Sequence, residues 1–393
     1  MKIIIAGGGI AGLTAALCLA RDNHSVCVLE QAPALTEVGA GLQLSPNGMR
    51  VLEHLGLAER VKAVGFEPKG IELRMGQRGR VIFDIPLAEY AERRWGAPYI
   101  HIHRADLLDV LAEAAGALPN IEFRLETQLQ SVTERPDGVE VSLSGGRTET
   151  GDLLVGADGI HSVVREHLLG PVQPRFTGCV AWRGVIEADK LGEFRPPQTA
   201  CAWVGKGAHA VTYYLRGGKL VNLVGVIERS DWRTESWSEE GQMAEFAADF
   251  EGWHPVITNF IQSGEQFFRW ALFDRPPLRK WISKRIAIMG DAAHPMLPFL
   301  AQGAVMAIED AAVLAKSLRN HSGLSEALDS YQARRHSRTA QVQLQSRRNA
   351  KTFHRRTPVT RLATYGPMWL AGHVAPEIVH RRMDWIYAHN PLE

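Results

Sequence analysis

Two hydrophobic periods run along this chain, and each change of period marks an element. Residues 2–6 are a short β-branched apolar run, the pattern of a strand buried on both faces of a parallel sheet. Leu13, Ala16, Leu17 and Ala20 recur at helical spacing and predict a helix over 10–21, and Val26-Cys-Val-Leu-Glu30 predicts the next strand. A strand–helix–strand unit of about 30 residues is long enough for a right-handed parallel crossover. Further on, the pattern predicts a helix over 104–115 and strands over 121–132 and 139–143 about the Pro136-Asp137-Gly138 turn. A buried strand over 152–156 follows and ends in glycine.

From 178 to 273 the texture changes to alternating, aromatic-rich segments such as Val180-Ala-Trp-Arg-Gly-Val-Ile186 and Val211-Thr-Tyr-Tyr-Leu215, which predict a largely antiparallel sheet. Residues 285–290 return to the buried-strand pattern, and 304–317 predict a strongly apolar helix. The expected organisation is an α/β domain over 1–177, an inserted β-sheet domain over 178–273, resumption of the first domain over 274–330, and a helical region over 331–393. Residues 334–361 hold many Arg, Lys and His side chains and no Asp or Glu. Such a run reads as a solvated or subunit-contact face, with attraction of an anionic ligand as the other reading.

Length and composition narrow the field. At roughly 150 residues per domain, 393 residues suggest two to three domains, and a 45% hydrophobic content is enough for buried cores. With 44 Lys and Arg against 43 Asp and Glu the formal net charge is +1, so no global field favours a polyanion and nucleic-acid binding is not expected. Cys18, Cys27, Cys179 and Cys201 are scattered and contain no C-x-x-C pair, which argues against a disulfide framework or a metal site and suits a reduced, cytoplasmic setting. The apolar N-terminus has the outline of a signal peptide, but Gly7, Gly8, Gly9 and Gly12 interrupt it and a second strand follows at once. No membrane span is expected either, because no uninterrupted apolar stretch of about 20 residues occurs.

The chemistry begins at Gly7-Gly8-Gly9-Ile10-Ala11-Gly12, a G-x-G-x-x-G between a predicted strand and helix, with Glu30 ending the second strand 18 residues later. Gly7 permits a tight turn, Gly9 lets backbone approach a pyrophosphate at the positive helix end, and Gly12 allows close helix–strand contact. Glu30 is suited to accept from a ribose 2′-hydroxyl. Asp22-Asn23-His24 lacks the glycine common after such a helix, although Asn tolerates a left-handed turn. By itself the motif leaves NAD and FAD both open.

Two further segments carry a resemblance. Leu154-Val-Gly-Ala-Asp-Gly-Ile-His-Ser162, continuing to Val164-Arg165, and Met289-Gly-Asp-Ala-Ala-His-Pro295 resemble the Asp-Gly and Gly-Asp motifs of single-component FAD-dependent aromatic hydroxylases, in the salicylate hydroxylase-like branch. The three motifs stand in that family's order and spacing, and Met383-Asp-Trp-Ile-Tyr387 is also similar to its end. The resemblance implies a Rossmann-like FAD-binding domain, an inserted substrate domain, a helical C-terminus and a homodimer. It implies FAD contacts at Gly7, Gly9, Ala11, Gly12, Glu30, Gln31, Arg104, Leu129, Asp158, Asp291, Pro295, Gly303 and Ala304, with NADH or NADPH held transiently. Asp291 also suits a helix N-cap, and Asp158 a turn. No second G-x-G-x-x-G follows a later strand, so a reductase with two dinucleotide domains is disfavoured.

The implied cycle is reduction of FAD, reaction with O2 to a C4a-hydroperoxide, and oxygen transfer to an electron-rich ring. The protein must exclude water and accept a phenolic proton, for which histidine is suited by its unperturbed pKa of about 6.5. His209 and Tyr213 lie four apart on one face of a predicted strand. They match a His and a Tyr of the substrate sites of 3-hydroxybenzoate 6-hydroxylase and 6-hydroxynicotinate 3-monooxygenase, and His209 is the expected base. His294 reads as a framing residue beside the cofactor. Gln43, in the segment 39–47, matches the hydroxybenzoate enzyme, whereas Phe299 replaces a histidine of the hydroxynicotinate enzyme and Pro298 a glutamine of the hydroxybenzoate enzyme. The expected pocket thus has Phe299 as an apolar wall and hydrogen bonds from Gln43 and Gln302. The expected substrate is a small phenolic acid, a hydroxybenzoate or a hydroxypyridine carboxylate, hydroxylated with or without loss of CO2. A flavin oxidase or reductase, or a non-enzymatic FAD-binding scaffold, are the rival readings.

Overall fold

The computed structural model describes residues 1–35, 40–171, 173–229 and 239–393. Five parallel strands form the central sheet in the order Ile286–Ile288, Leu153–Gly156, Lys2–Ala6, Ser25–Leu29, Ile121–Arg124. The chain leaves Lys2–Ala6 toward one edge and later returns to its other side, so the order reverses between Lys2–Ala6 and Leu153–Gly156. Ligands bind at such a switch point, beyond the carboxyl ends of the strands. Covering it is the helix Ile10–Arg21, whose alanines and leucines are buried on nearly every side. That helix lies so close to its strand that a Cβ on Gly12 would stand 1.9 Å from the Gly7 carbonyl oxygen. Gly7 takes φ +103°, and Asn23 takes φ 61°, the left-handed turn expected of it.

A three-stranded antiparallel sheet, Leu129–Glu134, Val139–Leu143 and Thr148–Gly151, flanks this domain. The single strand predicted over 121–132 is therefore two. Ile121–Arg124 stays in the parallel sheet, and positive φ at Glu126 turns the chain out of it.

The large sheet has eight strands in the order Glu240–Gly241, Phe267–Asp274, Arg175–Glu187, Leu220–Glu228, Ala208–Leu215, Ala200–Val204, Gly70–Met75, Val81–Pro86. It corrects the expected 178–273 boundary. The hairpin Gly70–Pro86, from the segment assigned to the first domain, completes the sheet by pairing parallel to Ala200–Val204, and Arg175–Glu187 begins before 178. One face carries Trp182, Trp203 and Phe267 beneath the helices Met243–Asp249 and Pro255–Ser263, which contribute Phe246 and Phe260, with Trp182 stacked on Phe246 at 4.9 Å. Alternation sends His209, Val211 and Tyr213 to the opposite face, toward the parallel sheet.

Helices Gly303–Asn320, Leu324–Phe353, Pro358–Val374 and Pro376–Tyr387 close the molecule. Asp384 pins the last of them by accepting from Arg94 (2.8 and 2.9 Å) and from the Trp95 indole (2.7 Å). Among the described residues no helix is long and apolar enough to cross a membrane, and all four cysteines are buried thiols.

Candidate active site

Between the parallel sheet, the large sheet and the C-terminal helices lies a cavity of about 1460 Å³. Ligand pockets commonly measure about 300–1,000 Å³, so this one has room for two ligands. Of the expected residues, Gly7, Gly9, Ala11, Glu30, Gln31, Arg104, Leu129, Asp158, Asp291, Pro295, Gly303 and Ala304 line its nucleotide side, and Gln43, His209, Tyr213 and Phe299 line the other end.

The nucleotide side follows from the first turn. Gly7 donates to the Leu29 carbonyl (2.8 Å), and a Cβ there would meet the Ala157 carbonyl oxygen at 2.4 Å, so only glycine allows the two strands to present their ends together. Gly9 differs: nothing stands within 4 Å of the position its Cβ would take. Glu30 accepts from the amides of Gly8 (2.7 Å) and Ala32 (2.8 Å), which fixes its carboxylate on the cavity wall. Asp158 accepts from Val164 at 3.2 Å, and burial pushes its carboxyl above the usual range. Its Oδ1 is buried without a hydrogen-bond partner among the described residues. Asp291 follows Gly290, whose φ of +57° turns the chain after the last parallel strand, and is exposed. The helix Gly303–Asn320 begins on the wall without a side-chain cap, so its first amides point their partial positive charge at the cavity. A buried carboxylate oxygen of Asp158 that no protein group satisfies among the described residues, open space at Gly9 and an uncapped helix end all suit a dinucleotide. Gly12 has no place on the wall; its part is the helix–strand contact alone.

A family model described as the FAD binding domain matches residues 1–346. The chain belongs to that family. It is 36% identical over 393 residues to 3-hydroxybenzoate 6-hydroxylase 1 of Aquipseudomonas alcaligenes, covering 100% of this chain and 98% of that one. It is 40% identical over 355 residues to a 3-amino-4-hydroxybenzoate 2-monooxygenase of Streptomyces platensis, covering 90% and 88%. Among solved structures, Klebsiella pneumoniae HpxO complexed with FAD and uric acid superposes with a TM-score of 0.88 at 26% identity, covering 100% and 98%. This chain is an FAD-dependent aromatic monooxygenase.

At the far end of the monooxygenase's cavity, strand Ala208–Leu215 presents His209, which is buried. Its ring lies 5.0 Å from Phe299, edge to face, and 5.2 Å from Phe353. This dry setting pushes its pKa well below the ordinary value, and neighbouring His354 adds to the effect. His209 Nδ1 lies 2.7 Å from His354 Nε2. The expected apolar wall at Phe299 is thus the surface that desolvates His209.

Two expected pocket residues are corrected. Gln302 is buried away from the cavity, its amide donating to Ser45 Oγ (2.9 Å) and accepting from Asn47 (3.2 Å). Tyr213 lines the wall, but its hydroxyl donates to the Gly41 carbonyl (2.7 Å) and burial raises its pKa, so it fastens strand Gly41–Leu44 rather than moving a proton. Gln43, on that strand, accepts from Tyr99 (2.7 Å) and keeps its amide NH2 for the cavity.

His294 is fully buried and pairs with Asp310 at 2.5 Å, while Asp310 also accepts from the Gly290 amide (3.0 Å). It frames the turn that carries Asp291. Several residues escaped the sequence reading. Arg183 lines the cavity, buried over the rings of Phe268 (5.2 Å) and Trp270 (5.6 Å); burial and then repulsion by Arg104 lower its pKa. A charged residue beside inward-facing Trp182 was the available signal, since alternation puts it on the His209 face. His354 and Glu228 had none. The N-terminal portion of the segment 39–47, Gly39, lies outside the described residues, as do 230–238 of the expected inserted domain.

Proposed function

We propose that this monooxygenase hydroxylates a small phenolic acid of the hydroxybenzoate class, with His209 as the base that removes the phenolic proton. The carrying observation is the position of His209. It is a buried histidine beside Phe299, on the wall of the same cavity that the dinucleotide motifs line at its other end. Removing the proton raises the electron density of the ring, and a neutral imidazole is the form able to take it. FAD, reduced by NAD(P)H, supplies the activation of O2. The residues that would hold it are Gly7, Gly9, Glu30, Asp158, Asp291 and the amides at Gly303 and Ala304, with Arg104, Gln31, Leu129 and Pro295 around them. Gln43 offers an amide donor that orients the acid, and the surrounding apolar wall keeps water out. Relatives named for 3-hydroxybenzoate and 3-amino-4-hydroxybenzoate support the substrate class. The reading includes NADH as preferred donor and a homodimer, both taken from the family resemblance, and a cytoplasmic setting, taken from the scattered cysteines.

The test is NADH and NADPH oxidation by the purified protein over salicylate, 3- and 4-hydroxybenzoate and 6-hydroxynicotinate, with product and H2O2 quantified together. Stimulation by a hydroxybenzoate with stoichiometric hydroxylated product is the expected result. Turnover with 6-hydroxynicotinate alone would move the substrate to the hydroxypyridine acids. NADH consumption yielding only H2O2 with every ring would make the protein an oxidase.

A further inference from the structure

The contact between His209 and His354 continues outward. His354, at the end of helix Leu324–Phe353, is buried and does not line the cavity. Its Nε2 meets His209 Nδ1 at 2.7 Å, and its Nδ1 lies 3.3 Å from Glu228 Oε1. Glu228 ends strand Leu220–Glu228, its side chain is 28% exposed, and it accepts from the exposed Arg356 (Nε, 2.7 Å). The His354 ring beside it and the charge of Arg356 hold the Glu228 carboxyl below its usual range. A line of hydrogen-bonding groups thus runs from the cavity wall to the surface.

Donor and acceptor roles along this line follow from one end. An ionised carboxylate only accepts, so His354 carries its hydrogen on Nδ1 and presents a lone pair at Nε2. His209 must then donate from Nδ1, which leaves its own lone pair on Nε2, the nitrogen available to the cavity. This is the tautomer a base needs, and reversing either ring would remove it.

We propose that His354 and Glu228 form a relay that sets the tautomer of His209 and carries the substrate's phenolic proton out of the closed cavity. The proposal rests on His209 being the base. The phenol O–H breaks as a bond forms to His209 Nε2. The Nδ1 hydrogen of His209 passes to His354 Nε2, and the Nδ1 hydrogen of His354 passes to Glu228, which releases it to water. A proton returning along the same path, with the His209 Nε2 hydrogen passing to the phenolate oxygen of the product, restores both tautomers, and no buried charge persists at either histidine. His354 and Glu228 are positioning and relay residues; among the three, only His209 lines the cavity.

The experiment uses the FAD-loaded full-length protein with His354→Ala, Glu228→Gln and, as reference, His209→Ala. Histidine nitrogen NMR without substrate should show His209 protonated at Nδ1 and bare at Nε2 in wild type, and loss of that preference in His354→Ala. On anaerobic mixing with 3-hydroxybenzoate and an indicator dye, wild type should release a proton. His354→Ala should do so at least about tenfold more slowly, Glu228→Gln should be intermediate, and added imidazole should restore part of the His354→Ala rate. FAD content should stay at the wild-type level, which a purely structural role would not combine with slow release. If His354→Ala fails to retain FAD, His354→Gln replaces it. A protonated Nε2 on wild-type His209, or wild-type release by the His354 variant, overturns the relay. Undiminished release by His209→Ala overturns the base itself, whereas its loss there with unchanged His354 variants removes only the relay. Should 3-hydroxybenzoate release no proton from wild type, the tautomer decides.

Discussion

Single residues in this protein divide by where their polar atoms point. Asp158 and Gln302 both belong to motifs read as ligand-binding, yet Asp158 keeps an unpartnered oxygen on the cavity wall while both ends of the Gln302 amide are spent on Ser45 and Asn47. The difference predicts separable phenotypes. Gln302→Ala leaves Ser45 and Asn47 short of partners in a buried site, a loss of about 1–3 kcal/mol. A lowered thermal midpoint by circular dichroism, with little change in KM for the aromatic substrate, is the expected outcome. Unchanged stability with a raised KM would return Gln302 to the substrate pocket. Tyr213 shows the same principle, since its committed hydroxyl makes it a clamp on the strand that carries Gln43.

At the scale of elements, the basic run 334–361 divides: Arg334, Arg348, Lys351 and Arg356 are exposed, as its charge suggests, while other cations of the run are turned to buried acids. Arg335 is fully buried and bonds Asp310 at 2.7 Å and Glu309 at 2.5 Å, while Arg338 meets both oxygens of Glu309 at 2.8 Å. Arg347 reaches Asp274 at 2.5 Å, and His354 and Arg356 reach Glu228. These cations lock helix Leu324–Phe353 onto helix Gly303–Asn320 and the large sheet. Removing one partner strands a buried charge, so Arg335→Met should lower unfolding stability by about 3–5 kcal/mol in urea titration. A loss below about 1 kcal/mol would mean that Arg338, His294 and Asn47 suffice for the two acids.

For the whole molecule, the buried histidines set the acid limit. Burial pushes His101 down to about 3 from an ordinary 6.5 and His389 to about 4, and His209 also lies well below 6.5. Between those values the unfolded chain binds more protons than the folded one. This stabilisation is complete above 6.5 and is lost as pH falls toward 3. Glu309, held at about 2 against an ordinary 4.5 despite its burial because Arg335 and Arg338 surround it, adds a loss below 4.5 with the same sign. The thermal midpoint should therefore fall continuously from pH 6.5 to pH 4 at constant ionic strength; a flat profile there would contradict these assignments.

The sequence by itself determined what depends on neighbours along the chain. Residues 2–30 wrote out a strand, helix and strand in their apolar periodicity, and Gly7, Gly9 and Gly12 stated their own steric reasons. The alternation in 208–215 put His209 and Tyr213 on one face. Tertiary structure alone decided what depends on partners far away. Whether Gln302 faced the cavity, which of the 334–361 cations were buried, and whether 70–86 belonged to the first domain were settled by partners such as Ser45, Glu309 and Ala200–Val204, none of which is near in sequence. The line His209, His354, Glu228 joins three elements and has no local signature. Periodicity records which side of an element is buried; only packing decides which side chains meet there, because hydrogen bonds form between atoms a few ångströms apart whatever their separation in the chain.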